Sequence, residues 1–391
     1  MKLKQQPEDF RVEELTDAAG GDAGDFALYR LDKSGWTTPD ALNAVRRRWR
    51  IEWPDLSYGG LKDRHASTSQ YFTIFRGPQR DITVDKIAVA YLGRRTEPFT
   101  SNDIRANRFT IVLRSLSAQD VDKAESAMEE VARAGLPNYF DDQRFGSVGD
   151  AHEFVAKEMV FGRFDRALWL ALAAPYEFDR SDAKREKQLL RDTWGDWPAL
   201  KAKLPKGHAR SLVDYLVTHP TDLKGAVSRL RPELQGLYLS AYQSYLWNRM
   251  LGAWLARFGS ENLVSVDLKL DRVPAPVKIP DDLHGAWESL MLPLPSARLK
   301  PDPAAPWTAI VDEVLKEEGL TLAELKIKGM QKPYFSRGDR AGCIRPGGLE
   351  SLGENDEKHR TRKKLTLRFE LPRGSYATML VKRVTAVSRT S

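Results

Sequence analysis

Hydrophobic positions along the chain follow a strand-like pattern at both ends and a helical one in the middle. Residues 10–15 and 26–31 are short runs rich in aromatic and β-branched side chains, and the Gly- and Asp-rich stretch 18–25 between them reads as a turn. Thr38-Pro39 then opens a helix, with Thr38 as N-cap and Pro39 in the first helical position. That helix carries Arg46, Arg47, Arg48 and Arg50. The chain breaks at 57–60, and 70–75 and 108–113 give further strands. Residues 118–134 have helical spacing and stop at Gly135, a natural helix terminator.

From about residue 150 to about 340 the pattern is mostly helical, interrupted by Pro-containing stretches at 273–280 and 293–306. Strand signals return near the end, where 365–371 alternates about Arg368 and an apolar run follows Gly374 as far as Val384. This order predicts a sheet-containing domain interrupted by a mainly helical insertion. There is no internal repeat and no low-complexity segment.

Composition narrows the function classes. Of 391 residues, 41% are hydrophobic and 29% charged, which is globular. No apolar run approaches the roughly 20 residues of a membrane span, and no apolar stretch follows the first lysines, so a soluble, cytoplasmic protein is expected. The single cysteine, Cys343, excludes an internal disulfide and any zinc site built on paired thiolates. No histidine pair has metal-ligand spacing, and neither a phosphate-binding loop nor a dinucleotide fingerprint is present, so no metal and no nucleotide cofactor is expected.

The net charge of +7 favours polyanion partners only modestly, but its distribution is uneven. Residues 358–383 hold Lys358, Arg360, Arg362, Lys363, Lys364, Arg368, Arg373, Lys382 and Arg383 against the lone acid Glu370. With the cluster at 46–50 these residues read either as solvated faces or as one phosphate-tracking surface, if the fold joins the two ends.

Three patches could carry chemistry. Tyr58-Gly59-Gly60-Leu61-Lys62-Asp63-Arg64-His65 places a carboxylate between cations, after a Gly-Gly turn and before a strand. Flanking cations favour ionised Asp63, which could act as nucleophile or base; taken alone, a solvated Lys-Asp-Arg turn is the commoner reading. Pro137-Asn138-Tyr139-Phe140, with Gln143-Arg144-Phe145-Gly146, sets amides beside aromatic rings, as single-stranded RNA recognition requires, or else buries the rings in a turn. Residues 371–378 resemble a turn with Tyr376 on its far side.

The order of these patches is more informative than any one of them. G-x-K-D-x-x-A-x-T-x-Q at 60–70 resembles the signature of the TruD family of pseudouridine synthases. Lys4 with 7–10, Asn107-Arg108-Phe109, the Asn138 and Gln143 patches, 243–248 and 371–378 follow in the family's order across nearly the whole chain. The resemblance implies an α+β pseudouridine synthase fold with a mixed, largely antiparallel central sheet. It implies a catalytic domain at 1–158 and 345–391, with a TruD-type insertion at 159–344. It implies a tRNA pseudouridine synthase without cofactor, whose usual target is uridine 13; separately, a monomer is expected.

By the same resemblance Asp63 is the catalytic nucleophile or base and Lys4 the cation that holds it ionised. Phe10, Asn138, Phe140 and Tyr376 would contact substrate, while Gln70 and Thr68 support the Asp63 loop. Tyr376 stands where the family's bacterial pattern has phenylalanine, which keeps a ring and adds a hydroxyl. Arg46, Arg47, Arg362, Lys363 and Lys364 are the expected phosphate contacts. The rival readings are a catalytically silent RNA-binding protein on the same scaffold and a glycosidase, which would need a second carboxylate that the motif lacks.

Overall fold

The computed structural model describes residues 1–177, 179–330 and 332–386. They form two compact units. Unit 1 comprises Met1–Leu136, Pro276–Ile279 and the described residues from Cys343 on; unit 2 comprises Pro137–Ala275 and Pro280–Gly342.

Unit 1 is built on one nine-stranded sheet. Its elements in chain order are β1 (Phe10–Thr16), β2 (Phe26–Ser34), α1 (Thr38–Trp49), β3 (Leu56–Tyr58), β4 (Ser67–Phe75), β5 (Ile82–Val84), β6 (Ile87–Arg95), β7 (Ile104–Leu116) and α2 (Ala118–Ala134). The strands Gly347–Asn355 and Lys363–Pro372 and the helix Ala377–Val384 complete it. The sheet runs Gly347–Asn355, Lys363–Pro372, β7, β1, β4, β2, β6, β5. Every pair is antiparallel except β1 with β4, which run parallel from Arg11↔Ser67 to Glu13↔Ser69. Further along the same edge of β4, Phe72–Ile74 pair with β3. The sheet is therefore mixed and largely antiparallel, as expected, and the two ends of the chain meet in it where β7 lies between β1 and Lys363–Pro372.

Alternation decides which face is covered. Val12, Phe109, Ile111, Leu365, Leu367 and Phe369 pack with Val121, Ala124, Met128 and Val131 of α2 and with Leu380, Val381 and Val384. Tyr29, Leu31, Phe72 and Ile74 pack with Ala41, Leu42 and Val45 of α1. Val12 is partnered with Thr68, and Thr68 shares a strand face with Phe72, so all these helices cover one side of the sheet. The opposite side is partly solvated, with Arg108 bridging exposed Glu13 and half-buried Glu370 across three strands.

Several expectations are corrected in detail. The α1 cap is Thr37, whose side chain accepts from the Asp40 amide; Thr38 is already helical and buried, and its hydroxyl is used elsewhere. The break at 57–60 falls only at its glycines, because Leu56–Tyr58 forms a strand. The apolar run to Val384 is a helix, not a strand, and Tyr376 is its N-cap residue. Gly374 turns the chain at φ 84°, and the buried positions Ala377, Leu380, Val381 and Val384 then repeat with helical spacing.

Unit 2 is mainly helical and centres on the helix Pro232–Leu255, which is buried on most sides. Three of its buried side-chain amides tie down neighbouring backbone. Gln235 donates to the carbonyls of Val227, Ser228 and Leu230, Gln243 donates to those of Pro295 and Ser336, and Asn248 holds both the amide and the carbonyl of Phe140. The resemblance at 243–248 thus falls on residues that organise the unit's interior.

Candidate active site

The loop between β3 and β4 carries Asp63, and buried groups fix it from below. A Cβ at Gly59 would come within 2.9 Å of the Thr100 carbonyl oxygen, so the first glycine of the turn is sterically required, whereas one at Gly60 would meet nothing within 4 Å. The Thr38 hydroxyl accepts from the Lys62 amide at 2.9 Å and donates to Gln70 Oε1 at 2.7 Å, and Gln70 Nε2 donates to the Gly60 carbonyl at 3.2 Å. Gln70 thus braces the loop, as read from the sequence, whereas the buried Thr68 hydroxyl has no hydrogen-bond partner among the described residues and does not. Lys62 runs inward, with its Nζ 2.9 Å from Oε1 of fully buried Glu14 and donating to Asn107 Oδ1 at 2.6 Å. Lys33, 2% exposed, donates to the carbonyls of Asp63 at 3.1 Å and Trp36 at 2.8 Å. Burial lowers its pKa to about 8, against the attraction of Asp63, and Lys62 lowers it further.

Lys4 arrives from the other side on a clamped segment. Lys2 exchanges both backbone hydrogen bonds with Arg114 of β7, at 2.8 and 2.9 Å. Asp9, 1% exposed, receives the Arg114 guanidinium through Nε at 3.0 and 2.9 Å and through Nη2 at 2.8 Å. Arg114 also reaches Asp356 at 3.1 Å and Glu357 at 2.8 Å, joining the two ends of the chain. Within that frame Lys4 adopts φ 54° and its ammonium forms an ion pair with Asp63 Oδ2. The same ammonium lies 4.2 Å from the centroid of the Phe10 ring.

Asp63 Oδ1 accepts from the His65 amide at 3.0 Å. Burial pushes the Asp63 pKa up, but the Lys4 hydrogen bond, the His65 amide and the charges of both residues outweigh it and hold the carboxyl below its ordinary value. The side chain remains 32% exposed. The result is an ionised, oriented carboxylate with lone pairs to spare beside an aromatic face, suited to attack or proton abstraction.

Lys4, Phe10 and Asp63 are thus brought together. Tyr376 is half-buried and follows the strand end where Leu371 pairs with Asn107, the residue that receives Lys62. Asn138 and Phe140 lie together in unit 2, 6% and 8% exposed. The Asn138 side chain donates to the Ala341 carbonyl at 3.0 Å and accepts from Arg340 Nη2 at 2.7 Å. The Arg340 guanidinium lies 4.1 Å from the centre of the Phe140 ring.

The basic clusters divide. Arg47 and Arg362 are exposed. Arg46 donates to Asn43 and to the Ile51 carbonyl. Lys363 donates to Asn355 at 2.9 Å, and Lys364 pairs with Glu357 at 3.0 Å. Arg383 is 2% exposed and paired with Glu130, so it leaves the expected phosphate surface.

Sequence reasoning missed Lys33, Thr38's second role, Glu14 and Arg114, whose partners lie up to 243 positions away. A charged residue on an otherwise apolar strand face, such as Glu14 or Lys33, is the signal that could have found two of them. Among the described residues, no cluster of His, Cys, Asp and Glu could hold a metal ion, and no helix is long and apolar enough to cross a membrane.

Comparison with known proteins shows the family and the fold. The family model for tRNA pseudouridine synthase D (TruD) matches residues 1–384. "Probable tRNA pseudouridine synthase D 2" of Methanocaldococcus jannaschii is 31% identical over 98% of this chain and 91% of its own length. The tRNA pseudouridine synthase D of Aquifex aeolicus is 29% identical over 98% of each. A crystal structure named for tRNA pseudouridine synthase D (TruD) from Methanosarcina mazei superposes with a TM-score of 0.77 at 26% identity, covering 99% of this chain and 94% of that one. The mixed sheet and these matches therefore define a pseudouridine synthase, an isomerase. Within that class the chain belongs to the TruD family.

Proposed function

We propose that this protein converts a uridine of tRNA, uridine 13, to pseudouridine, with Asp63 as the catalytic nucleophile or base. The observation that carries the reading is the Asp63 carboxylate, ionised by Lys4 and the His65 amide and still open to solvent on an otherwise braced loop. In the reaction the N1–C1′ bond breaks, the uracil turns, and C5 bonds to C1′; the proton leaving C5 is balanced by one gained at N1. Asp63 would assist by adding to C1′ or by taking the 2′ proton. No redox equivalent is needed.

Phe10 and Tyr376 are the proposed ring contacts of unit 1. Phe140 is the proposed stacking ring of unit 2, with Asn138 contacting substrate beside Arg340, which it orients. Stacking at about 1–3 kcal/mol per base helps offset the cost of extruding the uridine. The division into catalytic segments 1–158 and 345–391 with an insertion at 159–344 belongs to this proposal, as do the monomeric state and a cytoplasmic location. The direct test is incubation with an unmodified tRNA transcript followed by chemical mapping of pseudouridine. Product at position 13 is expected; tight binding with no product on any tRNA would favour the silent RNA-binding protein.

Two further outcomes are expected. Lys4→Ala removes the hydrogen bond and charge that lower the Asp63 pKa, so the acid limb of kcat/KM should move to higher pH, with activity lost first at the acid end. An acid limb that stays in place would show that Lys4 does not control the carboxylate. Arg47→Gln and Arg362→Gln should each flatten the dependence of log affinity on log salt by about 1 if that side chain neutralises a phosphate. Filter-binding titrations across salt would show it, and an unchanged slope assigns these arginines to a solvated face.

A further inference from the structure

Unit 2 contains a second concentration of positive charge that none of the roles above uses. The strands Met291–Pro293 and Asp339–Ala341 pair antiparallel, with Pro293 opposite Asp339. The loops that continue from this pair line a cavity of about 240 Å³. Both loops are pinned. The Leu294 amide donates to the Gly338 carbonyl at 2.8 Å, and buried Gln243 donates to the carbonyls of Pro295 and Ser336, each at 2.9 Å.

Exposed Arg298, Lys300 and Arg337 line the cavity against one carboxylate, Asp339. Arg298 Nη2 donates to the Phe335 carbonyl at 2.9 Å, and its guanidinium lies 3.9 Å from the centre of the Tyr334 ring, which is 57% exposed. Ser296 also lines the cavity. It is 2% exposed, and its hydroxyl has no hydrogen-bond partner among the described residues.

Each feature has the same chemical reading. A buried hydroxyl without a partner is uncommon in a native fold and suits a ligand oxygen. Two guanidinium groups and an ammonium match a phosphate, the arginines through their planar fork. An exposed ring next to them offers a sequence-tolerant platform for a base. We propose that this cavity binds a backbone phosphate of the RNA substrate, with the adjoining unpaired base stacked on Tyr334. The proposal rests on the reading of the chain as a tRNA-modifying enzyme, and it gives unit 2 a substrate-holding surface of its own.

The test compares wild type with the variant Arg298→Gln/Lys300→Gln/Arg337→Gln on unmodified tRNA transcript. The variant should bind about tenfold more weakly at 0.15 M salt, with the log affinity against log salt slope shallower by about 1–2. KM should rise and kcat change much less. Tyr334→Ala should weaken binding without altering the slope, since stacking releases no counterion, and Tyr334→Phe should bind as wild type does. A triple variant with wild-type affinity and slope overturns the proposal while leaving wild-type turnover, and so the tRNA reading, intact. If inorganic phosphate binds the wild type but not the triple variant, and tRNA affinity is the same in both, the cavity is a free-anion site and the proposal falls. A wild-type protein that neither binds nor modifies tRNA overturns the tRNA reading and this inference together.

Discussion

Asp63→Asn should fold, bind tRNA with near wild-type affinity and form no detectable pseudouridine. The substitution keeps the size of the side chain and an oxygen that can still accept from the His65 amide. It removes the charge that pairs with Lys4 and nearly all nucleophilic and basic capacity. Loss of a principal catalytic group is felt on a scale of about four orders of magnitude or more in kcat. If Asp63 were only part of a surface turn, the change would cost less than about 0.5 kcal/mol and leave turnover intact. Binding, turnover and circular dichroism measured on one preparation separate the two cases. Wild-type turnover by the variant would remove the assignment and the mechanism with it. Loss of fold and binding together would make Asp63 structural.

Arg114→Met should be the most destabilising single substitution among the residues that frame the site. It has similar length and no charge, and it leaves the buried carboxylates of Asp9 and Asp356 without their guanidinium. Removing one partner of a buried ion pair costs about 3–5 kcal/mol. The urea midpoint should fall accordingly, and the segment carrying Lys4 should lose its anchor, so that kcat falls in the fraction that remains folded. Arg114→Lys keeps the charge but not the fork and should recover only part of the loss. A midpoint equal to that of wild type for Arg114→Met would show that the network contributes no net stability.

The clamp around Asp63 shows where reading the chain in order stops. The strand patterns at 10–15, 26–31 and 365–371 lie within observed strands, and α2 begins and ends where its periodicity does, because alternation and helical spacing are local properties of a half-buried element. Strand ends were less legible. β2 runs on to Ser34 because Lys33, a charged residue, is accommodated by two carbonyls that no local pattern announces. The helix Ala377–Val384 was misread because its apolar run is short, and only the turn at Gly374 settles its period. The change of pattern near residue 150 likewise differs from the passage between units at Leu136, since contacts define a unit and composition does not.

By itself the sequence determined the order of strand-like, helical and strand-like regions, and its motifs, taken in order, carried the resemblance that implied the family, the fold and the candidate residues Lys4 and Asp63. Periodicity, residue type and motif order all survive without coordinates. Tertiary structure decided what the charges do. It set Lys4 on Asp63 across 59 positions and Lys62 on Asn107 across 45, turned Arg383 inward to Glu130, and placed Arg298, Lys300 and Arg337 on one cavity with Ser296, whose hydroxyl has no partner among the described residues. The physical reason is that a charge interacts with whatever lies within a few ångströms through a locally low dielectric, and chain folding alone sets that neighbourhood.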